Sequence, residues 1–244
     1  MNFDPLMRYG PRLLEGLVVT MELVSISVVL GMLLALPIAA ARLSRNRLLS
    51  GLAFAYVYFF RGTPLLAQLF LIYYGAGQFV DTFEALGLWG FFRDAFNCAV
   101  LAFALNTAAY EAEIYRGAVR SVPHGQWEAA RALGLHRLPL LLKVVFPQAA
   151  IVAIRPVGND IIILIKASAI ASIVTVLDLM GETRLAFSRT FDLTMYIYAA
   201  VLYLILVEAI RRLWNRLETR LTRHMRREMK PRSAAAADLA AATR

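Results

Sequence analysis

Apolar runs long enough to cross a membrane alternate with short charged ones along the 244 residues of this chain. The first, 17–41, carries a single charge, Glu22, and at about 1.5 Å of rise per helical residue it can span a hydrocarbon layer of roughly 30 Å. Four more follow: 52–74, interrupted by Arg61 and Pro64; 95–115, with Asn106, Glu111 and Glu113 towards its end; 148–176, with embedded polar groups; and 193–214, apolar as far as Ile210. The pattern therefore predicts an all-α integral membrane protein with five transmembrane helices, preceded by a short segment 1–16 and followed by a tail 223–244.

Composition agrees with this class. Apolar residues make up 59% and charged residues 18% of the chain, with a positive mean hydropathy of +0.59, which is too apolar for an ordinary soluble domain. Ala39-Ala40-Ala41 offers small residues of the kind a signal peptidase accepts, but the run before it exceeds a signal-peptide core and Arg42, Arg45 and Arg47 follow it. The segment is expected to be retained.

Charge placement predicts orientation, because basic residues in short loops stay cytoplasmic. The loop after the first run has Arg42, Arg45 and Arg47 without an acid, and the one after the third has Arg116, Arg120, Arg131, Arg137 and Lys143 against Glu128. Both are expected inside. The other two loops balance Arg93 against Asp81, Glu84 and Asp94, and Arg184 and Arg189 against Asp178, Glu182 and Asp192, and are expected outside. The C-terminus then lies in the cytoplasm and the N-terminus in the periplasm, although Arg8 and Arg12 oppose this weakly. The net charge of +9 is accounted for by cytoplasmic arginines near anionic headgroups, so the membrane surface, not nucleic acid, is the expected partner of that charge. Arg211, Arg212, Arg216, Arg220 and Arg223 fall at helical spacings, predicting a helical extension of the last span, and the Ala-rich stretch past Pro231 is expected to be mobile. The lone Cys98 has no intrachain partner and reads as a small buried residue.

Two places stand out chemically. Between the third and fourth runs, Ser121 to Gly125 supplies turn chemistry and 126–138 has the composition of a short helix, which Gly134 lets the chain leave in a left-handed conformation and which Pro139 and Pro147 are expected to stop. Ala129, Ala130 and Leu133 form a face suited to a groove on another protein, with Glu128 free to meet a basic group. A plain connecting helix with an acid in its first turn fits the same residues. In the fourth run, counting from Pro147 puts Arg155 roughly 12 Å, Asp160 roughly 20 Å and Lys166 roughly 28 Å along the helix. Arg155, Asn159 and Lys166 share a face. Charged groups at such depths cost about 2.5–3.5 kcal/mol each, so they should meet a cavity or a partner. Two readings stand: Asn159 and Asp160 receive the cationic end of a substrate while a helix break near Lys166 and Ser168 exposes backbone groups for its carboxylate, or Asp160 is half of an interhelical pair and Lys166 snorkels outward.

The remaining features read as structural. Gly62 and Pro64 predict a kink, Arg61 a snorkelling or subunit contact, and Glu113 and Arg116 an i,i+3 pair. His124, His136 and His224 lack metal-ligand spacing. Glu111, Glu113, Asp160 and His124 form no recognised catalytic set, which argues against a membrane enzyme. The chain has no Gly-Lys dipeptide and hence no Walker A loop, so ATP is not bound here in that manner.

Several motifs resemble one family. Glu128-Ala129-Ala130 with Gly134, followed by Val144-Val145-Phe146-Pro147, resembles the EAA loop of importer permeases. Arg61-Gly62-Thr63-Pro64-Leu65-Leu66-Ala67-Gln68-Leu69, Ala109-Tyr110-Glu111-Ala112-Glu113-Ile114-Tyr115-Arg116-Gly117 and Asn159-Asp160-Ile161-Ile162 resemble the polar amino acid uptake branch of ATP-binding-cassette importers, from Gly16 to Thr222. Phe91 to Cys98 and Leu105 to Tyr110 resemble its M-type subunits for histidine, lysine-arginine-ornithine, octopine and nopaline. Val144, Phe146 and Asp160 depart from the commonest residues at their positions. The resemblance implies a MetI-like type I importer core, with a second homologous permease, an ATPase dimer that carries ATP and magnesium, and a periplasmic binding protein as partners. It implies no cofactor in this chain and no catalysis. Under it Gly125, Glu128, Ala129, Ala130, Leu133 and Gly134 couple to the ATPase, and Asn159, Asp160, Lys166 and Ser168 are candidate substrate contacts for a basic amino acid or opine. An ATP-independent carrier or channel is the competing expectation.

Overall fold

A computed structural model describes residues 4–222, all of its regular elements helical. The expectation of a mobile tail, and with it Arg223 and His224, lies outside the described residues. Helix α1, Asp4–Arg42, is followed by α2, Arg47–Gly62, and α3, Leu65–Ala76. Short helices α4, Val80–Ala85, and α5, Trp89–Phe92, lead to α6, Ala95–Arg120. After α7, His124–Ala132, and α8, Arg137–Leu140, come α9, Phe146–Ala167, then α10, Leu179–Thr190, and α11, Thr194–Leu221.

Helix α6 is the axis on which the bundle is built. Its alanines at 99, 102, 104, 108, 109 and 112 are buried, and such small residues let neighbouring backbones approach closely. Gly31 of α1 shows how close: a Cβ there would lie 2.7 Å from the Thr107 side chain. Against this helix pack α1, α2, α3 and α9, with Leu23, Leu69, Phe103, Leu164 and Val174 at the centre of the largest apolar cluster. The first helix begins earlier than the apolar run predicted. Residues 4–16 continue α1, because Tyr9 and Leu13 are buried against Met195, Ala199 and Leu179. At Gly16 the helix touches the turn before α10, where a Cβ would meet the Asp178 carbonyl at 2.8 Å.

Length and composition mark Met7–Arg42, Arg137–Val174 and Thr194–Leu221 as helices able to cross a membrane, and α2 with the segment Leu65–Ala85 as a fourth span if the two are taken together. Helix α6 does not meet the apolar criterion, although its 26 residues reach about 39 Å. Protein surrounds much of it, so Asn106, Thr107 and Glu111 can sit where a lipid-facing helix would carry leucine.

The second predicted span is two helices, bent by 103°. Thr63, ahead of Pro64, is held extended at φ −113°, ψ 148°, as the proline ring disfavours the helical alternative. The bend strands acceptors at the end of α2, and Gln68, nearly fully buried, meets them. Its Nε2 donates to the Phe60 carbonyl at 2.9 Å, the Thr63 carbonyl at 3.1 Å and Thr63 Oγ1 at 2.8 Å. Asn106 of α6 donates to Gln68 Oε1 at 3.0 Å and to the Phe60 carbonyl at 3.1 Å, tying the bend to the central helix. Replacing Gln68 by leucine leaves these groups short of partners, at about 1–3 kcal/mol per orphaned group, and is expected to lower the unfolding temperature of the purified protein; Gln68→Leu melting like the wild type would show that the network carries no stability.

Candidate functional site

The prolines after α7 do not end the helix they enter. Pro139 lies in the first turns of a helical segment running from Arg137 into α9, where its missing N–H is harmless. Ahead of Pro147, residues Leu141–Val145 widen to a π-helix, and Phe146 N–H bonds back to the Leu141 carbonyl. This single wide turn absorbs the bond that Pro147 cannot make. The expected helix 126–138 is therefore shorter and earlier, His124–Ala132, with a separate helical start at Arg137.

Helix α7 ends as Gly134 was expected to end it. Gly134 has φ +76°, the Leu135 N–H reaches back to the Ala130 carbonyl at 3.1 Å, and the Gly134 N–H to the Arg131 carbonyl at 2.9 Å. This is a Schellman closure. Ala130 does not belong to an outward face: it is buried with Val122, Leu140 and Val145, and with Trp127 it seats the helix on the rest of the chain. Its backbone holds the closing turn and its methyl fills the seat. The outward surface consists of Gly125, Glu128, Ala129, Leu133 and Gly134, with Leu133 81% exposed. An apolar residue so open, on the same short helix segment as an acid that makes no ion pair among the described residues, fits a contact with another protein.

The second candidate site lies on α9. Helix α11 grips one side of it: the Trp214 indole packs on Gly158 and donates Nε1–H to the Ile154 carbonyl at 2.7 Å, and Glu218 pairs with Arg155 at 2.8 Å. The free face holds Val152, Arg155, Asn159, Ile163 and Lys166, all exposed, so the shared face predicted from spacing is present. Asp160 stands at its edge, half-buried and in no ion pair among the described residues. Arg61, in the last turn of α2, lays its guanidinium over the Tyr110 ring at 5.0 Å. The predicted break is a tightening instead of an opening: at Ser168, whose N–H still bonds to the Leu164 carbonyl, α9 passes directly into a 3-10 segment, Ser168–Val174, and only Thr175, at φ 68°, leaves the helix. Ser168 itself is fully buried and donates to the Ile165 carbonyl at 2.8 Å, so its hydroxyl does not join Asn159 and Lys166 on the open face.

The predicted Glu113–Arg116 pair forms, and Arg42 of α1 joins it at 2.9 Å. This cluster borders a cleft of about 520 Å³ between α1, α2 and α6, lined also by Arg61, Tyr58, Thr63 and Tyr110. Cys98 is buried, as expected. Sequence reasoning missed Gln68, Trp214 and Glu111. The first two act through partners 38 and 60 residues away. Their only local signals are a polar residue in an apolar run and a tryptophan at a helix end.

Comparison with known proteins gives consistent relatives. The family described as "Binding-protein-dependent transport system inner membrane component" matches residues 27–223. The nopaline transport system permease protein of Agrobacterium fabrum is 40% identical over 93% of this chain and 94% of its own. The histidine/lysine/arginine/ornithine transport system permease protein of Escherichia coli is 38% identical over 86% and 89%. Among solved structures, an amino acid ABC transporter crystallised with histidines superposes with a TM-score of 0.80 at 34% identity, over 90% of this chain and 99% of that one. The MetNI methionine transporter shares the fold, with a TM-score of 0.72 at 22% identity, over 91% of this chain and all of that one.

Proposed function

The chain belongs to the family of binding-protein-dependent transport system inner membrane components, and from that membership we propose that it moves cationic amino acids or opines through the membrane along the free face of α9. It is a permease subunit of an ATP-binding-cassette importer and not an enzyme, and the ATP-independent carrier loses its standing because the relatives are permeases of ATP-driven systems. The observation that carries the cargo reading is Asp160, an acid in no ion pair among the described residues, at the edge of a face inside a span that also carries Arg155, Asn159 and Lys166. A charge at that depth implies a cavity, and a negative charge implies a cationic guest. Nopaline, octopine, histidine, lysine, arginine and ornithine, which the relatives' names print, all carry cationic or protonatable nitrogen.

A second, homologous permease would cover the α9 face, since Asn159 and Lys166 are ill suited to lipid. Asn159 and Asp160 would take the cationic end, with Lys166 serving the carboxylate; Ser168 would act through the geometry of the 3-10 turn it begins. A partner ATPase dimer, with its ATP and magnesium, would receive Gly125, Glu128, Ala129, Leu133 and Gly134, while Ala130 holds α7 in place. Charge asymmetry supports a cytoplasmic α7 and C-terminus and a periplasmic N-terminus in the inner membrane, with delivery by a binding protein from outside.

The test is ATP-driven uptake of labelled arginine by the purified assembly in proteoliposomes. Asp160→Asn is expected to reduce uptake at least about tenfold, in line with loss of a charged contact worth some 1.5–3 kcal/mol, while the assembly still hydrolyses ATP. An Asp160→Asn assembly that transports at the original rate would remove Asp160 from the pathway.

A further inference from the structure

Helix α11 keeps one side turned to the bundle for most of its length. Met195, Ala199 and Leu206 are buried there, and Ile210 packs against the same core. The opposite side carries Ile197, Val201, Leu204 and Ile205, all exposed, as a helix bordering lipid requires. Past Ile210 the two sides keep their phase but change character. At about 100° per residue Arg212 and Arg216 fall on the lipid side, where headgroups accept them, whereas Leu213, Leu217 and Leu221 continue the buried side at spacings of three and four. The described chain leaves these leucines 63%, 43% and 51% exposed. Lipid does not cover them either. They point away from the lipid side, and Leu217 and Leu221 lie about 10 and 16 Å beyond Ile210 along the axis, against a headgroup layer of roughly 5–8 Å.

A core stripe that runs on past its cover fits a protein partner. The base of the extension narrows which one. Trp214 packs against the apolar cluster that seats α7, and Glu218 ties the extension to Arg155 of α9, so the leucines and α7 stand on one support. Arg220 borders the stripe and, like Arg216, has no acidic partner among the described residues, since Glu208 holds Arg211 and Arg212 while Glu218 holds Arg155. Two copies of this surface would set like charges against each other, so a second copy of this chain does not fit. We propose that Leu213, Leu217 and Leu221, with Arg220 at their edge, form a second docking strip for the ATPase, which meets it with apolar side chains flanked by an acid. This rests on the reading that an ATPase docks on this chain. Through Trp214 and Glu218 the strip connects directly to α9, so the ATPase pushes on that helix by way of α11 as well as α7.

Cysteine labelling of the purified assembly in lipid nanodiscs tests the strip, read on this chain, whose own Cys98 is buried. Leu217→Cys is expected to react with a water-soluble maleimide at least about tenfold more slowly in the complete assembly than after the ATPase is stripped off, because a docked surface excludes water, and protection should return when the ATPase is added back. Thr219→Cys, exposed on the side turned to headgroups, should label alike in both states. Equal labelling of Leu217→Cys with and without the ATPase overturns the proposal. Protection that persists after stripping also overturns it, and gives the strip to lipid or to the second permease. Protection of Thr219→Cys to the same degree would mean that the ATPase merely crowds the helix, which counts against a contact. Leu133→Cys on α7 keeps the two readings apart. With Leu133→Cys protected by the ATPase and Leu217→Cys not, the strip fails and the α7 contact stands; with neither protected, both fall; with Leu217→Cys alone protected, the strip stands and α7 loses the ATPase.

Discussion

Replacing Gly158 by alanine is expected to destabilise the bundle by about 2–4 kcal/mol and to depress uptake with it. The new Cβ would lie 2.1 Å from Trp214 Nε1 and 2.2 Å from Cδ1, positions that atoms cannot share. An indole ring is not a flexible tip that can swing aside. It must leave its seat, breaking the 2.7 Å bond to the Ile154 carbonyl and pulling α11 from α9. The Arg155–Glu218 pair one turn further along α11 would be strained by the same shift. Because Asn159 follows Gly158 directly, the polar face moves as well. A double-mutant cycle checks the cause: Trp214→Ala alone loses packing, but in the Gly158→Ala background it relieves the clash, so the double variant should be more stable than additivity allows. Simple additivity of the unfolding shifts would mean the contact is not the one that matters.

Much of this bundle is legible in the sequence because lipid imposes a simple rule. A helix facing hydrocarbon must be apolar over its length, so the cores of α1, α9 and α11 announce themselves as runs. The rule weakens in proportion to how much protein replaces lipid around a helix, which is why α6 meets no apolar threshold and why its Glu111 could not be placed by pattern. Gly134 was readable because a left-handed helix exit is a local property of one residue. The effects of Pro139 and Pro147 were not, since a proline in a first turn or beside a π-turn costs no hydrogen bond, and which case applies depends on a wider turn no propensity foretells. The size of the bend at Thr63 was likewise settled by Gln68 and Asn106. Glycine and proline signalled a kink; distant donors made it 103°. Of the residues expected to couple, Ala130 was misplaced because a nine-residue helix whose single large apolar residue is Trp127 has no periodicity strong enough to say which alanine points inward.

Reversing the charge of Glu128 is expected to abolish ATP-driven uptake while leaving the membrane-embedded bundle intact. The argument begins with what Glu128 does not do in this chain: it makes no ion pair or side-chain hydrogen bond among the described residues, and it is exposed. A lysine there should therefore cost the isolated subunit little, as for most surface changes. The helix that carries it is otherwise firmly held, by Ala130 and Trp127 on one side and the Gly134 turn at its end. A rigid helix presenting one acid and one open leucine is suited to transmitting a push. Against a partner groove built for the acid, a lysine replaces attraction with like-charge repulsion and an unpaired buried charge, together worth several kcal/mol or a factor of a thousand or more in affinity. The Glu128→Lys subunit should thus insert and unfold at the wild-type temperature, yet lose the ATPase during purification or retain hydrolysis with no uptake. Leu133→Ala should weaken the same contact by about 1–2 kcal/mol, as loss of a partly buried anchor does. Normal uptake in Glu128→Lys, with the ATPase retained, would move the coupling surface away from α7. A lowered unfolding temperature in the isolated variant would instead assign Glu128 a structural task.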